Sequence, residues 1–160
     1  MTKNSAPSPH NDYLADHVDR LRSSFRRFLG QDLIPPDLTG LAAGQALYEA
    51  DFVVVSHGTE ADPIFNYANA MAQGLFEFSW EEFTALPSRL SAELPNREER
   101  AQLLSAVTRQ GFIRDYRGIR IAKSGRRFYI QNAIVWTVTD DLGTPCGQAA
   151  TFCQWQYLDE

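Results

Sequence analysis

Gly125-Arg-Arg-Phe-Tyr-Ile-Gln-Asn-Ala-Ile-Val-Trp-Thr-Val138, then Thr139-Asp-Asp-Leu-Gly143, then Gly147-Gln-Ala-Ala-Thr-Phe-Cys-Gln-Trp-Gln156, is the stretch that decides the fold. It reads as two long strands joined by a turn. In the first strand Phe128, Ile130, Ile134, Trp136 and Val138 share one parity, so an unbroken strand projects them from one face of a sheet. Asn132 has the same parity. A carboxamide on an apolar face costs free energy unless something bonds to it, so Asn132 is the anomaly in the pattern.

Working outward, a third strand is expected over Asp115–Ile121 and a hairpin over Asp51–Ser56 and Pro63–Tyr67. The continuous β-branched run of the first hairpin strand predicts burial on both faces. Between the two strand groups lie helices. Asn69 is placed to cap a short turn, and Ser79-Trp-Glu-Glu82 is a capping box. Asn96 is expected to start the longest helix, which runs to Gln110 with Leu103, Leu104 and Val107 inward and Gly111 as its stop. The order of two strands, helices, then three strands is that of an α+β domain on an antiparallel sheet.

Ahead of this domain, Leu14, Val18, Leu21, Phe25 and Phe28 recur at helical spacing and predict an amphipathic helix over Asn11–Leu29, stopped by Gly30. Its stripe must be buried on the domain behind it or on the same helix of a second chain, giving a homodimer. Met1–Pro9 reads as a disordered tail. The breaker Gln31-Asp-Leu-Ile-Pro-Pro-Asp37 divides residues 1–37, the tail and helix, from a domain over 38–160.

The chain has 160 residues and a net charge of -5, which argues against a nucleic-acid surface. No apolar run has membrane-spanning length. Cys146 and Cys153 sit on one strand, too close to cross-link distant elements, and read as free thiols in a reducing, cytoplasmic compartment. Neither a metal-ligand spacing nor a glycine-rich phosphate loop is present. Ser56 and His57 are adjacent on a strand and point to opposite faces, so they do not form a nucleophile–base pair. His10 and His17 read as surface histidines. The polar residues without a bland account are Asn66, Arg89, Asn132 and Gln148. Trp80, Trp136 and Trp155 read as core.

These features together resemble the PAS domain, and more closely the MEKHLA family. The residues that carry the match are Ser56-His-Gly58, Asp62-Pro-Ile-Phe-Asn-Tyr-Ala-Asn69, Leu75-Phe-Glu77, Pro87-Ser-Arg89 with Ser91-Ala-Glu93, Gly111-Phe-Ile-Arg-Asp-Tyr116, Gly118-Ile-Arg120, Gly125-Arg-Arg-Phe128, Val135-Trp136 and Gly147-Gln-Ala-Ala-Thr-Phe152. The resemblance covers about Leu38–Trp155. In that family the domain ends certain plant homeodomain–leucine-zipper factors and also occurs as free-standing bacterial proteins. Without a homeodomain or zipper, this chain is similar to the second kind.

The resemblance implies a PAS-like five-stranded antiparallel sheet with helices over one face and a pocket between them. It implies a non-catalytic sensory or ligand-binding module that signals through protein contacts. The alternative is a packed interaction or dimerisation module. Pocket lining is expected from Asn132, Gln148, Asn66 and Arg89, with Trp136 and Phe128 as apolar wall. Flavin photosensors of this class need a cysteine in the helical connector, and Leu86-Pro-Ser-Arg-Leu-Ser-Ala-Glu93 has none. Haem-binding relatives use a histidine on the long helix, and Asn96–Gln110 has none. Both covalent flavin and haem are disfavoured, and the cofactor stays open.

Overall fold

The computed structural model describes residues 5–158, the side chains of residues 94 and 95 apart. In chain order the elements are α1 (Ala15–Leu29), α2 (Gly40–Tyr48), β1 (Val53–His57), β2 (Phe65–Ala68), α3 (Ala70–Phe76), α4 (Trp80–Phe83), α5 (Leu94–Gln110), β3 (Phe112–Ile121), β4 (Arg127–Thr139), β5 (Pro145–Phe152) and β6 (Gln154–Tyr157). A 3-10 turn, Pro9–Leu14, leads into α1, and a second, Ser88–Ser91, leads toward α5.

Local chemistry accounts for most of the boundaries. Gly30 ends α1 with φ +68, its amide bonded to the Arg26 carbonyl. Ser79 and Glu82 form the expected reciprocal cap, with bonds of 3.1 and 3.0 Å. Two starts differ. α5 begins at Leu94, with a proline in its first turn, and not at Asn96. Asn11 caps no α-helix: it accepts from the Ser8 amide and donates to the carbonyls of Ser5 and Ala6. The expected disorder is therefore overturned for Ser5–Pro9, where Pro7 is buried; residues 1–4 lie outside the described residues.

The sheet is antiparallel throughout, in the order β2-β1-β5-β4-β3, with β6 also pairing β4. β5 and β6 lie along one line: Ile134 faces Thr151 and Gln131 faces Gln154, so the register along β4 does not shift between them. The last expected strand thus exists, interrupted at Cys153.

That interruption sits opposite the residue that overturns the simple parity of β4. Asn132 adopts φ +54, and the pairing with β3 slips by one residue there. A second slip in β3, at Asp115 with φ +55, compensates for it. The result is a change of face. Phe128 and Ile130 lie with Ala133 in one core, among Val53, Val55, Phe65, Phe76 and Phe152. Trp136 and Val138 lie in a separate core, among Val18, Leu21, Phe25, Val54 and Ala149. The five apolar residues of β4 therefore do not share a face, because the bulge shifts the alternation by one.

The second core answers where the α1 stripe goes. Val18, Leu21, Phe25 and Leu29 are buried against the chain's own sheet, each contributing on the order of 1.5–3 kcal/mol. Phe25 meets Trp136 edge-on at 4.8 Å, and the Trp136 indole N–H donates to Ser24 Oγ at 3.0 Å. α3 and α5 cover the opposite face, and α4 gives Phe83 to that side and Trp80 to the α1-side core. Asn69 ties the layers together: fully buried, it accepts from the amides of Ala72 and Val54 and donates to the carbonyls of Leu47 and Phe52.

Asn132 tolerates its left-handed backbone as few residues do. Asn132→Gly should keep stability within about 1 kcal/mol of the parent, whereas Asn132→Val should lose about 1–2 kcal/mol. Urea denaturation measures both; equal stability of the two variants would contradict the bulge.

Candidate functional site

Between the sheet and α5 the second layer leaves a cavity of about 70 Å³. Its apolar wall comes from Phe65, Ile130, Val135 and Phe152 on the strands and from Leu103 on α5. Its polar lining comes from His57 on β1, Arg100 on α5, Tyr116 and Arg120 on β3, and Gln148 on β5. Alternation places His57 on this side, beyond Val53 and Val55. Gly147 lets β5 approach closely here, since a Cβ would stand 2.2 Å from the His57 carbonyl oxygen.

Both arginines are buried, Arg100 at 9% exposure and Arg120 at 7%. Arg100 donates to Ser88 Oγ at 2.6 Å. Arg120 donates to the Ile119 carbonyl and to the Tyr116 hydroxyl, and that hydroxyl donates in turn to Glu99. Gly118 makes room for this arrangement, because a Cβ there would meet the Tyr116 hydroxyl. Among the described residues neither arginine has a carboxylate within 4.0 Å. Burial first, and then the neighbouring Arg120 charge, bring the Arg100 pKa down to about 10. Burial likewise raises that of Tyr116. The His57 ring bonds the Gly58 carbonyl through Nδ1 at 3.0 Å, while its buried Nε2 has no partner among the described residues. Burial lowers the His57 pKa.

A second recess lies on the α1 side of the sheet, lined by His17, Arg20, Ser56, Asn66 and Cys146 among others. His17 is no surface histidine. Its Nε2 lies 3.0 Å from Ser56 Oγ, its ring stacks on Tyr67 at 5.6 Å, and Ser56 donates to Asn66 Oδ1. Ser56 and His57 do face opposite sides, but a histidine twenty residues outside the domain boundary reaches Ser56 instead. A hydroxyl that already donates to Asn66 is not set up to give its proton to that histidine.

The sequence profile of the MEKHLA domain matches residues 15–157. The chain belongs to the MEKHLA domain family. Two curated relatives are the homeobox-leucine zipper protein HOX32 of Oryza sativa subsp. indica and that of subsp. japonica, each 23% identical over 158 residues. The alignment takes in 98% of this chain and 18% of the rice proteins, so the chain spans less than a fifth of their length. These relatives are plant proteins and lend no support to the expected bacterial origin.

Among solved structures, the PAS domain of a Colwellia psychrerythraea protein superposes with a TM-score of 0.57 at 16% identity, covering 71% of this chain and 92% of that one. An RNA-binding light-oxygen-voltage receptor gives 0.59 at 20% identity, covering 79% and 34%. A light-oxygen-voltage domain studied with a flavin analogue gives 0.57 at 15%, covering 73% and 84%. The MEKHLA chain therefore has the PAS-like fold.

Of the residues expected to line a pocket, Gln148 does so, its amide donating to the Leu104 carbonyl and to Thr108 Oγ1 on α5. The others do not meet there. Asn132 is exposed and donates to Gln154 Oε1, because the bulge turns it out of the sheet. Arg89 is half exposed and pairs with Asp62 at 3.0 Å. Asn66 belongs to the α1-side recess and Trp136 to the α1-side core. Phe128 is on the cavity side but is buried against Phe76, away from the lining.

Sequence reasoning singled out neither buried arginine: Arg100 lies three residues before Leu103 in a charged run, and Arg120 lies between Ile119 and Ile121. A flavin held through a cysteine does not fit this cavity: Cys146 is in the opposite recess and Cys153 is exposed. Among the described residues no cluster of three or more His, Cys, Asp or Glu side chains could hold a metal ion, and no helix is long and apolar enough to cross a membrane.

His17 gives the MEKHLA chain an acid-side weakness. Burial, with the Arg20 charge adding, lowers its pKa from 6.5 to about 4. The unfolded chain therefore binds more protons between those values, and stability falls as pH drops from about 6.5 toward 4. His57 acts in the same direction. The lowered carboxyl groups of Glu77 and Glu82 act below their ordinary 4.5. Urea unfolding at several pH values in this window should show a slope of up to about 1.4 kcal/mol per pH unit per histidine. His17→Gln should flatten it; an unchanged slope would contradict the assignment.

Proposed function

We propose that this MEKHLA chain is a non-catalytic sensory module that takes a small molecule into the cavity between the sheet and α5. The observation that carries the reading is the buried His57 Nε2, which lacks a partner among the described residues, on a residue that lines this cavity and also borders the α1-side recess. Buried polar atoms in native proteins are nearly always bonded, so an unmet acceptor beside a cavity points to a group supplied from outside. The light-oxygen-voltage and PAS structures it resembles support the sensory part by analogy of fold.

Occupancy would be passed on by protein contact. The stripe expected to carry homodimerisation is covered by the chain's own sheet, so dimerisation through it requires α1 to leave. What α1 turns outward is charged: Asp16, Asp19, Arg20, Arg26 and Arg27 are exposed. A reducing, cytoplasmic setting belongs to the same proposal, supported by the free thiols of Cys146 and Cys153.

Native mass spectrometry of protein purified without denaturation should show a stoichiometric added mass, or a metabolite mixture should raise the melting temperature. Ala150→Leu, which fills the cavity wall, should remove the effect. A clean unliganded mass with no thermal shift would sink the reading.

A further inference from the structure

Resting on the cavity as the ligand site, we propose that its occupant is a short hydroxycarboxylate anion, with the carboxylate held by Arg100 and Arg120 and the hydroxyl donating to His57 Nε2. Three features of the lining select this class: its charge, its donors and acceptors, and its size.

The charge is unbalanced. Two guanidinium groups from different elements, α5 and β3, line the same cavity, and neither is in an ion pair among the described residues. Two carboxylates act on Arg100 from a distance, and both are engaged elsewhere: Asp62 pairs with Arg89, and Glu99 is held by the Tyr116 hydroxyl and meets Arg120 only through it. Burying like charges together is unfavourable unless an anion compensates, and a surface position for either side chain would avoid the cost. Each guanidinium carries five N–H donors. The bonds to Ser88, Ile119 and Tyr116 use few of them. The fork that is left matches a carboxylate.

Acceptor and wall narrow the class further. His57 Nδ1 carries its hydrogen toward the Gly58 carbonyl, which leaves Nε2 as a lone-pair acceptor. A bare carboxylate offers it nothing, whereas a hydroxyl donates to it. Leu103, Ile130 and Val135 suit a short alkyl chain, and about 70 Å³ limits that chain to a few carbons.

The test uses the full chain with glycolate, lactate and 3-hydroxybutyrate, alongside acetate, neutral lactamide and inorganic phosphate, in thermal-shift and calorimetric titrations. At least one hydroxy acid should raise the melting temperature, lactamide should not, and acetate should bind several-fold more weakly. Arg100→Met should keep or raise the unliganded melting temperature while weakening hydroxy-acid binding at least about tenfold. His57→Leu should erase the preference for the hydroxy acid over acetate.

Equal binding of lactamide overturns the anion assignment and leaves the cavity reading standing. Tighter binding of phosphate overturns the organic class. Absence of any hydroxy-acid shift, with Arg100→Met losing stability, makes the arginines structural and overturns the proposal. Hydroxy-acid binding that persists in Ala150→Leu places the site elsewhere, and the cavity reading itself fails.

Discussion

The structure depends on a defect in its central strand. A β4 without a bulge at Asn132 would send Phe128, Ile130, Ile134, Trp136 and Val138 to one face. The left-handed turn at Asn132 reverses the alternation, so one strand supplies Phe128 and Ile130 to the helical connector side and Trp136 to the α1 side. β3 absorbs the slip at Asp115, and the last strand breaks at Cys153, opposite the bulge. Two cores follow from one residue. A sheet with two cores needs two covers, and α1 is the cover on its side.

Polar residues hold this double layer where hydrophobic packing alone would leave the angle between elements free. Asn69 serves α2, β1 and α3 from a fully buried position, with all four of its bonds made to backbone groups. The Trp136 indole N–H on Ser24 Oγ ties α1 to β4 by a buried side-chain bond. The buried groups on the cavity side differ: Arg100, Arg120 and His57 are only partly matched by the protein, and they converge. The contrast between fully matched and partly matched polar groups separates scaffold from site.

Much of this was legible in the sequence. Helices and strands follow from periodicity and caps, and the family from motifs spread along the chain. What misled was the assumption of an uninterrupted period. Asn132 signalled the bulge, since asparagine is a common left-handed residue, but on an apolar parity it reads equally as a buried amide. Everything built on that parity then moved: Asn132 to solvent, Trp136 to the far side. The site residues were obscured for another reason. Arg120 lies between two isoleucines and Arg100 in a charged run, so composition makes both look solvated. Only the close approach of α5 to β3 puts them beside one cavity. His17 was lost to distance along the chain, because nothing local says that α1 returns to β1.

Ser56 and His57 were set aside because neighbours on a strand look in opposite directions. That same geometry gives the sheet an unusual economy of wiring. Ser56 is bonded to His17 of the outer helix, and His57 looks onto the cavity. The two are joined by one rigid peptide plane. Whatever tilts that plane from the inside tilts it for the outside as well, so the interior and the outer helix of this protein are separated by a single hinge-width of backbone.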